Sequence, residues 1–146
     1  LFQLVEKHGK NLHEIIKEKA ADGRKVFYIF GGVEADEREA IRGIVEKEKD
    51  AIIVASYGTF STGVNIKNLH NIIFASPSKS RVRNLQSIGR GLRLGDNKVD
   101  ATLYDIADDM TWKSKENFTL KHFQERINIY TEEEFDYEMH SIDLKD

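Results

Sequence analysis

The sequence of 146 residues contains no cysteine and a single proline, Pro77. Without cysteine the chain can form neither disulfides nor thiolate-bound zinc sites. The five histidines are scattered, apart from His8 and His13, and their spacing predicts no metal site. No apolar run approaches the roughly 20 residues that cross a bilayer, and no signal peptide is visible, so we expect no membrane partner.

The sequence also lacks the motifs that bind a nucleotide without help from another domain. It has no G-x-x-x-x-G-K-[ST] loop, whose backbone amides would cradle phosphates. It has no G-x-G-x-x-G after a predicted strand, which argues against a dinucleotide or nucleotide-sugar enzyme. No Asp-Glu pair follows a strand in the position that would hold Mg²⁺ in ATPases with a phosphate-binding loop. Any ATP chemistry would therefore need a phosphate loop from another domain or chain.

Charge is unevenly distributed along the chain. The net charge is −3, and the content of 32% charged and 40% hydrophobic residues is typical of a globular domain. Residues 67–98 contain seven Lys or Arg and one acid, whereas residues 131–146 contain seven acids and one Lys. The positive charge of residues 67–98 would attract phosphate groups, whereas the negative charge of residues 131–146 would repel them. An ordinary solvated surface also explains both runs, so they only support other observations.

Four short apolar segments predict strands. The almost unbroken apolar run of the first fits a parallel strand that is covered on both faces, and the second is also predicted to be buried. These strands are predicted at residues 25–30, 51–55, 71–75 and 101–106. Amphipathic segments predict helices at residues 3–20 (weakened by Gly9), 34–49 and 80–92. Strands alternating with helices form βαβ units, so we expect an α/β fold with a parallel sheet flanked by helices.

The helix predicted at residues 34–49 has a recognisable start. Asp36 is the predicted N-cap, and Glu39 follows at the spacing of a capping box. The face predicted to turn inward comprises Ala40, Ile41, Ile44 and Val45.

The end of the sequence differs from the strand–helix alternation before it. Residues 117–128 predict a C-terminal helix that carries Phe118, Phe123 and Ile127 on its apolar side. Residues 135–140 alternate apolar and polar side chains, which predicts an edge-strand extension. A helix capped by Thr131 and Glu134 is the alternative for this final stretch.

Residues 85–93 read L-Q-S-I-G-R-G-L-R and organise the functional interpretation. Arg90 and Arg93 are three residues apart and share one face of a helix, and Gln86 lies one turn earlier. Arginine presents a planar fork of donors that matches phosphate oxygens. The segment is interpreted as a phosphate-facing arginine surface, and a solvated basic helix is the alternative.

Three of the four predicted strands are followed by loops rich in glycine and small polar residues. The loops that follow the four strands are 31–32, 56–65, 76–80 and 105–109. In parallel sheets, ligands bind beyond the carboxyl ends of strands, where backbone N–H groups and hydroxyls can approach phosphates. Ordinary βα turns use the same residue types, so the loops support a phosphate-binding site only in combination with the arginine segment.

Residues 55–66 and 86–93 together resemble motifs five and six of the second motor domain of superfamily 2 helicases. They read A-S-Y-G-T-F-S-T-G-V-N-I and Q-S-I-G-R-G-L-R. The resemblance implies a RecA-like parallel sheet over residues 1–110, with a first strand that ends at Leu1-Phe2. It leaves residues 111–146 as a C-terminal extension packed on the same domain.

The resemblance assigns the ATP-facing residues. Arg90 and Arg93 would contact the γ-phosphate and stabilise the transition state, with Gln86 supporting them. Arginine fingers of this kind are worth about 10³–10⁵ in rate. Gly63 would pack near the nucleotide. The family has an aspartate at the ribose two residues after this glycine, where this chain has Asn65, whose amide can still hydrogen-bond a hydroxyl.

The resemblance also assigns residues that contact nucleic acid. The DNA-contacting threonine of the family aligns with Tyr57, and the neighbouring Ser56 and Thr59 offer hydroxyls for that contact. Gly32 lies in a strand-end turn that leads into a helix touching the nucleic-acid backbone, and Arg38 is a candidate phosphate partner on that helix.

The function implied by the resemblance is an ATP-dependent DNA helicase or translocase that remodels branched DNA in recombination, repair and replication. Its cofactors would be ATP and Mg²⁺, held mainly by a preceding N-terminal motor domain, without which this chain would be inactive. Its other partner would be branched or single-stranded DNA bound without sequence preference, and its location cytoplasmic. A non-catalytic nucleic-acid-binding module and an RNA helicase domain are the alternatives.

Overall fold

The computed structural model describes residues 5–20, 23–61, 66, 69–76, 101–113 and 117–144. Its first helix has a π-helical turn at Val5–Gly9 and continues as α1, Lys10–Lys19. Gly9, a residue expected to weaken this helix, has helical dihedrals of φ −63° and ψ −46°, so the helix continues through it. The helix ends at Ala20, whose N–H donates to the carbonyl of Ile16 at 2.8 Å.

The next three elements form a βαβ unit, as the sequence predicts. Strand β1 is Val26–Ile29, helix α2 is Ala35–Val45 and strand β2 is Ile52–Ala55. The two strands pair in parallel, with Val26 opposite Ile52 and Ile29 opposite Ala55. Both predicted strands are confirmed to within one residue at each end.

The start of α2 corrects the predicted cap. Glu34 is the N-cap residue, in an extended conformation, and its side chain makes no capping hydrogen bond. Asp36 lies inside the first turn, where its charge still complements the positive end of the helix dipole. Glu39 accepts a hydrogen bond from Arg42 at 3.0 Å instead of completing a capping box.

The inward face of α2 is also narrower than predicted. Val45 is buried and Ile41 is half-buried. Ala40 and Ile44 are exposed, so the prediction that they turn inward was wrong.

A second parallel pair follows. Strand β3 is Asn71–Phe74 and strand β4 is Thr102–Asp105, with Asn71 opposite Thr102 and Phe74 opposite Asp105. Over the residues described, the four predicted strands therefore form two parallel pairs instead of one continuous ladder. The helix predicted at residues 80–92, between β3 and β4, lies outside the described residues.

The C-terminal helix, α4, spans Phe118–Glu132 and is one turn longer than predicted. Asn117 caps it, because its side-chain oxygen accepts hydrogen bonds from the backbone N–H groups of Thr119 and Leu120. At the other end the Phe135 N–H donates to the carbonyl of Tyr130, and the Glu134 N–H to that of Thr131. This pattern is a Schellman motif, with Glu134 in the left-handed position at φ 56°.

The C-terminal helix packs on the second strand pair. Ile72 and Phe74 of β3 form a buried cluster with Ile127, Ile129 and Tyr130 of α4, and Tyr57 joins them. Leu69, Leu103, Phe123 and Phe135 pack around this cluster. Burying apolar area of this kind is the main stabilising contribution to a fold.

Two further predictions about local structure were wrong. The polar stretch predicted as a loop after β2 contains a short helix, α3, at Tyr57–Ser61. Residues 135–144 form neither the predicted edge strand nor the alternative helix. In the described part of the chain, no helix has the length and apolar content needed to cross a membrane.

Candidate nucleotide and nucleic-acid site

The carboxyl ends of β1 and β2 lie together at one edge of their sheet. The Ser56 N–H, immediately after β2, donates to the carbonyl of Ile29 at 3.0 Å. The segments that leave both strands therefore start side by side, in the position where parallel sheets bind ligands.

The turn after β1 leaves its backbone accessible. The Val33 N–H donates to the carbonyl of Phe30 at 3.0 Å, which closes the turn, and Gly32 is exposed. A Cβ on Gly32 would lie 2.8 Å from Cε2 of Phe30, so a larger residue would force the ring to move. The site prediction for Gly32 thus falls on a residue whose backbone a ligand can approach.

Two arginines on α2 have different surroundings. Arg42 lies between two glutamates and donates to Glu39 and, through Nη1, to Glu46 at 2.7 Å. The hydrogen bond from Arg42 lowers the pKa of Glu39. Among the described residues, no acidic side chain forms an ion pair with Arg38. Of these two cations, Arg38 therefore has the charge that remains available to a phosphate.

Ser56 and Thr59 are buried next to one another. Their hydroxyls are 2.8 Å apart, and the Thr59 N–H lies 3.4 Å from the Ser56 Oγ. Ser56 thereby covers the first turn of α3, in the way serine caps helices. Because the two hydroxyls bond to each other, a contact with a nucleic-acid phosphate would have to compete with that bond.

Tyr57 is buried rather than presented to a ligand, with 4% of its surface exposed. Its hydroxyl donates to the carbonyl of Ser76 at 2.7 Å, and its ring meets that of Phe74 edge-on with centroids 5.3 Å apart. The residue that aligns with the DNA-contacting threonine therefore connects the end of β2 to the end of β3.

The ATP-facing residues predicted from the sequence are not among those the structure describes. This applies to Gly63, Asn65, Gln86, Arg90 and Arg93. Their roles stay predictions. Within the described ranges, no three His, Asp or Glu side chains come together in a group that could hold a metal ion.

A buried ionic network that the sequence did not predict lies at the end of β4. Asp105 accepts hydrogen bonds from Arg126 Nε at 2.6 Å and Nη2 at 2.9 Å, and from the Tyr130 hydroxyl at 2.6 Å. Burial, followed by the charge of Asp105, raises the pKa of Tyr130. Within the described parts of the chain, Nη1 of Arg126 has no hydrogen-bond partner.

One sequence signal could have indicated this network. Arg126 lies three residues after Phe123 and four before Tyr130, so it falls on the apolar side of its helix. A charged residue on such a face needs a buried partner. The sequence did not reveal which carboxylate that partner would be.

Comparison with solved structures defines the class of the domain. The crystal structure of T4 UvsW superposes with a TM-score of 0.73 at 38% sequence identity, covering 97% of this chain and 30% of that one. Together with the parallel strand pairs and their flanking helices, this match shows a RecA-like α/β fold.

Sequence comparison then gives the family. The helicase conserved C-terminal domain matches residues 3–95, and the chain belongs to this family, as a superfamily 2 helicase C-terminal domain. The ATP-dependent DNA helicase uvsW of Enterobacteria phage T4 is 39% identical over 147 residues, which covers 94% of this chain and 29% of the relative. The putative ATP-dependent helicase IRC3 of Saccharomyces cerevisiae is 30% identical over 108 residues, covering 73% of this chain and 15% of that protein. The chain thus spans less than a third of the length of either relative.

Proposed function

We propose that this chain is the C-terminal motor domain of an ATP-dependent DNA helicase that remodels branched DNA in recombination, repair and replication. The observation that carries the proposal is the helicase family match over residues 3–95, which includes both resembling segments. The phage T4 relative is an ATP-dependent DNA helicase, which favours DNA over RNA as the partner of this chain. Since that relative belongs to a phage, we place the protein in the cytoplasm of an infected bacterial cell.

In this proposal a preceding motor domain carries the phosphate loop and most of the Mg²⁺ ligands. ATP, when bound, supplies the free energy of phosphoanhydride hydrolysis. Arg90 and Arg93 of this chain donate to the γ-phosphate oxygens, and Gln86 orients them. Gly63 and Asn65 lie at the nucleotide and its ribose. Arginines aimed at charge that develops in the transition state accelerate such reactions by about 10³–10⁵.

In this proposal the DNA backbone binds at the sheet edge formed by the carboxyl ends of β1 and β2. Gly32 offers an exposed backbone, and Arg38 offers a cation without an acidic partner among the described residues. Ser56 and Thr59 contribute once their mutual hydrogen bond opens. Phosphate contacts carry no sequence information, so binding is independent of sequence and falls steeply with salt.

The deciding experiment measures DNA-stimulated ATP hydrolysis by the protein with both motor domains, comparing wild type with Arg93→Ala. Collapse of turnover with DNA affinity retained supports an arginine finger. Arg81→Ala is the matched control, since it removes a cation from the same basic block and leaves Q-x-x-G-R-x-x-R intact. If Arg93→Ala retains turnover and weakens only DNA binding, the chain is a nucleic-acid-binding module instead. Repeating the assay with RNA separates a DNA helicase from an RNA helicase.

A further inference from the structure

The hydroxyl of Tyr57 joins two strand ends that the βαβ topology alone leaves independent. Tyr57 follows β2 and begins α3, whereas Ser76 lies just beyond β3. The 2.7 Å hydrogen bond between them spans 19 residues of sequence. It lies in the part-buried interior, where a hydrogen bond is less exposed to competition from water.

The groups on either side of this bond belong to different parts of the proposed site. On one side, Tyr57 lies between Ser56 and Thr59 in the sequence. These two residues are the candidate nucleic-acid contacts, and their hydroxyls bond to each other. On the other side, the chain that continues from Ser76 contains Gln86, Arg90 and Arg93 in sequence.

The ring of Tyr57 fixes the position of its hydroxyl. It is buried against Phe74 of β3, within the cluster that includes Ile72 and residues of α4. A buried aromatic ring in such a cluster loses its rotamer freedom on folding, so the hydroxyl meets the Ser76 carbonyl at little further entropic cost. The side chain therefore acts as a rigid connection between β2 and β3.

We propose that Tyr57 is a positioning residue that holds the start of α3 against the end of β3 at Ser76, and so links the candidate DNA contacts to ATP turnover. This inference rests on the proposed helicase function. Tyr57 itself touches neither DNA nor ATP in this proposal; it acts through the Ser76 carbonyl.

The test is Tyr57→Phe in the protein with both motor domains. The aromatic ring remains, and the hydroxyl that donates to the Ser76 carbonyl is removed. We expect kcat for DNA-stimulated ATP hydrolysis to fall about three- to tenfold, the range that one such hydrogen bond represents. Basal turnover without DNA and KM for ATP should stay within about twofold, because no nucleotide contact is removed.

Tyr130→Phe is the matched control. Tyr130 is buried in the same cluster, and its hydroxyl also makes one short hydrogen bond, at 2.6 Å to Asp105. The control should lose stability, as judged by thermal melting, with an unchanged ratio of DNA-stimulated to basal turnover. A Tyr57→Phe variant with normal DNA stimulation overturns the inference, and so does an equal loss in Tyr130→Phe.

Failure of this inference can be told apart from failure of the proposed function. If Arg93→Ala abolishes turnover while Tyr57→Phe retains full DNA stimulation, the motor assignment stands and only the role of Tyr57 is wrong. If Arg93→Ala retains turnover, the proposed function itself fails, and the positioning role fails with it.

Discussion

Asp105, the last residue of β4, accepts two hydrogen bonds from Arg126 of α4, at 2.6 and 2.9 Å, one to each carboxylate oxygen. Only 8% and 5% of their side-chain surfaces are exposed. A bidentate arginine–carboxylate pair is directional as well as strong, so it fixes where the helix lies on the strand. The pair thus determines the docking of α4 more specifically than the apolar contacts beside it.

Removing one partner of this pair should destabilise the protein strongly. Asp105→Ala leaves the Arg126 guanidinium buried without a counter-charge, and we expect a loss of about 3–5 kcal/mol in the free energy of unfolding. Urea-induced unfolding measures this loss. Asp50→Ala, which removes an exposed carboxylate 3.9 Å from Arg24, is the control and should leave the urea midpoint nearly unchanged. Equal midpoints for the two variants would contradict a buried role for the Asp105–Arg126 pair.

The raised pKa of Tyr130 predicts a loss of stability in alkali. Above about pH 10 the tyrosine of the unfolded chain ionises, whereas burial keeps the folded one protonated. The unfolded state then binds fewer protons than the folded state, so stability falls as pH rises, and the slope from this residue steepens through about pH 10 toward about 1.4 kcal/mol per pH unit. Urea unfolding at pH 9 to 11, roughly the range around the ordinary tyrosine pKa, measures this slope. Tyr130→Phe should have a shallower slope; an identical slope would mean that Tyr130 ionises normally in the folded protein.

Glu134 should be replaceable by glycine with a gain in stability. It occupies the left-handed position of the motif that ends α4, at φ 56°, where a side chain costs roughly 1–2 kcal/mol. Glycine removes this strain but loses part of the gain to its greater freedom in the unfolded chain. We expect Glu134→Gly to raise the melting temperature by about 2–4 °C. Glu132→Gly, inside the helix, should lower it. A decrease in both variants would show that the φ of Glu134 carries no strain.

Arg38 and Arg42 should differ in their effect on DNA binding. Both lie on α2, but Arg42 is already neutralised by Glu39 and Glu46. If the proposed function holds, Arg38→Ala lowers the slope of log affinity against log salt by about one, because one phosphate contact is lost. Arg42→Ala should leave the slope unchanged. A titration of single-stranded DNA at several salt concentrations decides the matter, and equal slopes for Arg38→Ala and wild type would remove Arg38 from the interface.

The strands were predictable because their signal is local. Residues 26–30 and 51–55 are continuous apolar runs, each preceded by a charged residue and followed by glycine or serine, and the observed β1 and β2 fall inside them. The short helix α3 was missed because its glycine, serine and threonine residues are equally typical of a loop. The signal that could have revealed it is Ser56, a preferred N-cap residue directly before Tyr57.

The contacts that connect distant segments could not be predicted from the sequence. Asp105 and Arg126 are 21 residues apart, and Tyr57 and Ser76 are 19 apart. Only the packing of α4 and of the strand ends brings these groups together. For the candidate site, the sequence indicated residue types and the edge of the sheet, whereas the burial of Ser56 and Thr59 depends on tertiary structure.

The cluster that α4 forms with β3 extends past the end of the family match. Ile72 and Phe74 lie within residues 3–95, but Ile127, Ile129 and Tyr130, which cover them, lie beyond it. The segment covered by the family match is therefore shorter than the segment whose side chains pack together in this cluster. A gene fusion or recombination event that transferred only residues 3–95 would leave β3 without its partner strand β4 and without the helix residues that cover it. The unit that evolution can move between proteins extends at least to Phe135.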